Sequence, residues 1–79
     1  MKIHYDTEVD ALYIELLTLE PGTAESRELT EEIIADYSPD GKLAGLEILD
    51  ASLVLGTQLQ EVIVEDSSDG VLHRLALVK

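Results

Sequence analysis

Apolar and polar residues alternate in short runs along this chain, and clusters of turn-forming residues break the runs at close intervals, the pattern of antiparallel β structure. Successive side chains of a strand point to opposite faces, so each run declares which residues turn toward a core. Met1, Ile3 and Tyr5 share one face, Lys2 and His4 the other. After the connection Asp6-Thr7-Glu8-Val9-Asp10, Leu12, Ile14 and Leu16 oppose Tyr13 and Glu15, and a β-hairpin is the natural pairing. Helical periodicity is scarce.

Glu20-Pro21-Gly22-Thr23 is a strong turn, and Ala24 to Leu29 is polar enough for an edge strand or a loosely held loop. Ile33, Ala35 and Tyr37 then share a face. Ser38-Pro39-Asp40-Gly41 places Pro and Gly where a tight turn needs them, and Lys42 to Leu49 returns with Ala44, Leu46 and Ile48 toward the core. Gly45, inside that strand, suggests a bulge or a close backbone approach. Asp50 is placed to cap a short helix, Ala51 to Leu55, which Gly56 would end in the left-handed conformation. Glu61 to Glu65, the loop Asp66-Ser67-Ser68-Asp69-Gly70 and Val71 to Val78 read as a closing hairpin.

The expected architecture is mainly β (α+β): a curved antiparallel sheet of five to seven strands with one short helix after residue 49. The sheet's second face is expected to be covered by that helix and the last hairpin, or buried in a dimer. No repeat or low-complexity tract divides the chain, so residues 1–79 are read as a single domain.

A chain of 79 residues without Phe or Trp has a thin core, and a homodimer is expected on that ground. Cysteine is absent, which excludes disulfides, thiolate metal sites and a Cys nucleophile. The N-terminus becomes charged within a few residues and no segment reaches the length of a membrane span, so a soluble, cytoplasmic protein is expected, with no membrane partner. Seventeen Asp and Glu against five Lys and Arg give a net charge of −12, which repels phosphate backbones, and no nucleic-acid partner is expected. The acids are spread along the chain. Solubility is the plain reading of that excess; a basic protein partner or bound cations is the sharper one.

Asp36-Tyr37-Ser38-Pro39-Asp40-Gly41 with Glu47 fits the calcium-loop template, which has oxygen ligands at positions 1, 3, 5 and 12 and Gly at 6. A metal site built on it would use Asp36, Ser38, Asp40 and Glu47. The flanks argue for a hairpin turn instead: an entering helix would bury Glu31 and Glu32, and Pro39 stiffens the loop and lacks an N–H. Tyr5, Asp6, Asp10 and Tyr13 bracket the first turn, where two carboxylates near two phenols could exchange protons, but Asp at turns usually bonds its own backbone. His4 and His73 have no second histidine at metal-pair spacing, and Ser52, Ser67 and Ser68 lack a nucleophile elbow. No catalytic, cofactor or metal residue is assigned, and the chain is not expected to be an enzyme.

Met1-Lys2-Ile3-His4-Tyr5-Asp6, Asp10-Ala11-Leu12-Tyr13-Ile14, Asp36, Asp40-Gly41, Gly45-Leu46-Glu47-Ile48-Leu49 and Ala51-Ser52 resemble, in order and separation, a family of small bacterial proteins catalogued as domain of unknown function 2283. The resemblance covers residues 1 to about 52; residues 53–79, the helix end and last hairpin, rest on pattern alone. It carries no activity, cofactor or catalytic residue with it. The family is similar in kind to small antitoxin-like domains, some encoded beside toxin-like genes, which implies a protein-interaction module, antitoxin-like, with a basic protein as partner. A calcium-binding module and a small enzyme with an unidentified site are the alternatives.

Overall fold

The two hairpins expected at the start and middle of the chain lie side by side in one antiparallel sheet. The computed structural model describes residues 1–78. β1 (Lys2–Asp6) pairs with β2 (Ala11–Glu15), and β4 (Ile33–Tyr37) with β5 (Leu43–Ile48). β2 joins the hairpins by pairing with β5, Leu12 opposite Ile48 and Ile14 opposite Leu46. β3 (Glu25–Glu28), fully exposed and acidic, is the outer strand beside β4, as its polarity suggested, so the order is β1-β2-β5-β4-β3. β6 (Glu61–Asp66) and β7 (Val71–Ala76) form a separate two-stranded sheet.

The register gives the sheet two unlike faces. Ile3, Tyr5, Leu12, Ile14, Ile33, Ala35, Leu46 and Ile48 fall on one, because each pairs with another apolar member of the set. Across this face pack α1 (Ala51–Leu55) and a 3₁₀ turn (Gly56–Gln60). Leu12, Ala51 and Leu59 are its buried centre, with Ile3, Tyr5, Ile48, Leu55 and Leu77 around them. Burial of Leu12 (5% exposed) and Leu59 (4%) contributes roughly 1.5–3 kcal/mol each. Among the described residues no large side chain is completely buried, so the core is thin, as a short chain without Phe or Trp dictates.

Three local expectations are refined. Asp50 flanks α1 with φ 49° and makes no side-chain cap; the carboxylate that accepts a first-turn N–H, that of Ser52, belongs to Asp10, whose carbonyl accepts the Ala51 N–H. Gly56 ends α1 at φ 57°, ψ −131°, outside the left-handed helical well and in a region open to glycine alone. Opposite β4 the register slips: Asp36 pairs with Gly45 but Tyr37 with Leu43, so Ala44 is the bulged residue, next to the expected glycine. The Ala44 carbonyl accepts the N–H groups of Leu16 (2.7 Å) and Leu17 (2.9 Å), which ties the end of β2 to the bulge.

Candidate functional site

Two hydrogen-bonded clusters, one on each side of the sheet, are built largely from residues on which the family resemblance rests: Tyr5, Asp10, Ala51 and Ser52 in one, Tyr13, Asp36 and Gly45 in the other. On the helix side, Asp10 closes the β1–β2 loop in the left-handed conformation, φ 53°. From there its carboxylate accepts the Tyr5 hydroxyl (2.6 Å), the Ser52 hydroxyl (2.6 Å) and the Ser52 N–H (3.0 Å), while its carbonyl accepts the Ala51 N–H (2.9 Å). One residue thus latches the first turn of α1 to the first hairpin across 42 residues of sequence. The bonds from Ser52, then Tyr5, hold the Asp10 carboxyl below the usual carboxylate range. The same bond, with some burial, pushes the Tyr5 phenol up. Both shifts lead away from neutral pH, the reverse of what proton transfer near neutrality requires.

On the opposite side, Tyr13 of β2 lies across β5. Its hydroxyl donates to Asp36 Oδ2 (3.2 Å), and Ser26 of β3 donates to Asp36 Oδ1 (2.5 Å), so three strands share one carboxylate. A Cβ at Gly45 would meet the Tyr13 hydroxyl, lie 2.7 Å from its Cζ and 3.1 Å from the Ile14 carbonyl oxygen. Gly45 is therefore glycine because a phenol ring passes over it. The sequence pointed to a bulge or a close backbone approach at Gly45; the bulge falls on its neighbour Ala44, and the Ile14 carbonyl does come close, but the tightest approach is by the Tyr13 side chain. Burial first, then the bond to Asp36 and the charges of Asp36, Glu15 and Glu47, push the Tyr13 phenol up.

This second face has no helix over it. Pairing places His4, Tyr13, Glu47, Ile34 and Glu28 in one row across it, and Lys2, Glu15, Gly45, Asp36 and Ser26 in the next. Four strands thus contribute the carboxylates of Glu15, Glu28, Asp36 and Glu47 to one open surface.

The other residues singled out from the sequence are placed apart. Ser38, Asp40 and Gly41 form the β4–β5 turn, with the Gly41 N–H on the Ser38 carbonyl (2.9 Å) and the Ser38 hydroxyl on Asp40. That bond holds the Asp40 carboxyl below the usual range, and Lys42 Nζ lies 3.8 Å from it. Strands, not helices, flank the run from Asp36 to Glu47. Among the described residues no three His, Asp or Glu side chains gather to hold a metal. Of the first-turn set, Tyr5 and Asp10 meet while Tyr13 turns to the other face; Asp6 accepts the Glu8 N–H (3.0 Å), as Asp at a turn does. His73 is exposed on β7, and Ser68 bonds Asp66 in the last loop. The links Asp10 to Ser52 and Tyr13 to Asp36 escaped sequence reading; their only signal was the presence of all four residues in the resembling blocks.

An open five-stranded sheet with one helical covering and two motif-bearing clusters defines a small β-rich protein, and among the described residues no helix is long and apolar enough to cross a membrane. The chain belongs to the family described as protein of unknown function (DUF2283), which matches residues 2–52. No curated protein and no solved structure matches it. The matched stretch ends at Ser52, the residue latched by Asp10, and the β6–β7 hairpin lies beyond it.

Proposed function

We propose that this protein is a non-catalytic, antitoxin-like interaction module of the cytoplasm whose open sheet face binds a basic protein. The observation that carries the reading is the uncovered face itself, with Glu15, Glu28, Asp36 and Glu47 contributed by four strands of a chain whose net charge is −12. With these four carboxylates against the single ammonium of Lys2, the face is predominantly negative, which speeds the encounter with a basic partner and disfavours anionic ones. The Tyr13–Asp36–Ser26 bonds fix the centre of that surface, so part of the ordering cost of binding is met in the free protein.

Capture with the tagged full chain from the native cell, with mass spectrometry of what is retained, tests the reading. The expected result is a basic protein whose affinity falls as salt rises and falls at least about tenfold in the combined variant Glu15→Gln, Glu28→Gln, Glu47→Gln. Retention of no basic protein, or equal binding by the variant, would overturn it.

A further inference from the structure

The β6–β7 hairpin is the part of the molecule whose own contacts account for it least. All its residues but Val62 are exposed, and a two-stranded hairpin by itself is at best marginally stable in water. The radius of gyration is 14.0 Å, against about 12 Å for a compact chain of this length, as a projecting arm requires.

The arm's two faces differ. Register places Val62, Val64, Val71 and Leu75 on one face, with His73 and, at the tip, Asp66. Between this face and Met1, Ile3 and Leu77 opens a cleft of about 400 Å³, enough for several aliphatic side chains. Ile3 and Leu77 also belong to the rim of the molecule's own core, so the cleft continues that core outward. The other face carries Glu61, Ile63, Glu65, Leu72 and Arg74, with Arg74 on Glu61 at 3.4 Å.

We infer that the hairpin face formed by Val62, Val64, Val71 and Leu75 is a self-association surface, on which a second copy of this chain seats the same face across a two-fold axis. Charge selects this occupant. Two chains of −12 repel wherever their acids meet, and this face holds one carboxylate, Asp66 at its tip, with none between Val62 and Leu75. A basic partner is drawn to the other side of the molecule, onto the acidic face of the sheet.

Exposure agrees. Leu75 is 62% exposed, Val64 50%, Val71 44% and Met1 88%. With the cleft walls they form one contiguous apolar patch, of the kind that makes the centre of a standard interface of about 800 Å² per partner. The contact is isologous, so it closes at two copies.

Sedimentation of the full chain from about 1 to 100 μM is the test. The expected species is twice the 8.7 kDa chain, with an association that tightens as salt screens the −12 charges, the opposite of binding to a basic partner. Val64→Glu with Leu75→Glu is expected to weaken association about 100-fold, while Leu72→Glu on the other face changes it less than about tenfold. A monomer at 100 μM, or equal losses in the two variants, would overturn the inference. Because the chain has no cysteine, single-cysteine variants give a readout that tolerates partial misfolding. His73→Cys is expected to form covalent dimers under mild oxidation and Arg74→Cys not; equal yields would also overturn it.

Discussion

Replacing Gly45 by alanine tests the arrangement at the centre of the acidic face. The added methyl carbon would lie 2.7 Å from Tyr13 Cζ, about 1 Å inside the optimal separation of two carbons, and 3.1 Å from the Ile14 carbonyl oxygen. Carbonyl and strand can yield a few tenths of an ångström; the ring must swing away. That movement breaks the bond to Asp36, about 1 kcal/mol, and loses ring packing, within the roughly 1–3 kcal/mol range of overpacking. Against it stands the gain of about 0.5–1 kcal/mol for alanine over glycine in a strand. The net cost is about 1–2 kcal/mol, or a fall of roughly 5–15 °C in Tm for a domain of this size. Urea unfolding at fixed protein concentration, in a cycle with Tyr13→Ala, isolates the cause. With the ring removed, Gly45→Ala should be neutral or stabilising by several tenths of a kcal/mol. The same loss in both backgrounds would refute the account of Gly45 as the floor beneath Tyr13.

Asp10 carries the acid dependence of the helix latch. Its carboxyl is held below the ordinary value by Ser52 and Tyr5, so the stability it contributes is complete above the unfolded-chain value of about 3.9 and is lost as pH falls below that. Asp10→Asn should therefore flatten the acid limb of the urea midpoint below about pH 4, leaving a residual slope from Asp40 and Asp66, whose carboxyls are also lowered. Asp50→Gly should leave Tm unchanged or raise it, because Asp50 sits at positive φ and makes no cap; Asp10→Gly should lower it, because the latch goes with the side chain. Equal effects of the two glycine substitutions in thermal unfolding would restore the local cap that the sequence suggested.

Strand faces and turns were legible because they depend on neighbours. Ile3 with Tyr5, Leu12 with Ile14 and Leu46 with Ile48 each follow from a period of two, and Pro39 with Gly41 marks its turn through backbone preferences alone. The order of strands was not legible, because two antiparallel hairpins can join through any of their edges and nothing in either declares that β2 meets β5. The acidic surface was hidden for the same reason: Glu15, Glu28, Asp36 and Glu47 read as scattered charge until pairing set them in adjacent rows.

The helix cap misled by its nearness. Asp50 stands directly before Ala51 and satisfies every local rule, while the residue that acts there is 42 positions away from Ser52. A comparison within the chain exposes it. The first and last hairpins span the same loop, from Asp6 to Ala11 and from Asp66 to Val71, and in both the first aspartate accepts the N–H two residues on. The residue that closes the loop has positive φ in each; in the last it is Gly70, the unstrained choice, and in the first it is Asp10. An L-residue at that position gives up some backbone stability, and Asp10 recovers it through four hydrogen bonds to Tyr5, Ala51 and Ser52. Gly70 closes an arm that the rest of the chain scarcely touches, and no such latch is required of it. The two hairpins therefore differ in how they are held: the first is latched to its own chain through Asp10, and the last stays exposed at every strand residue but Val62.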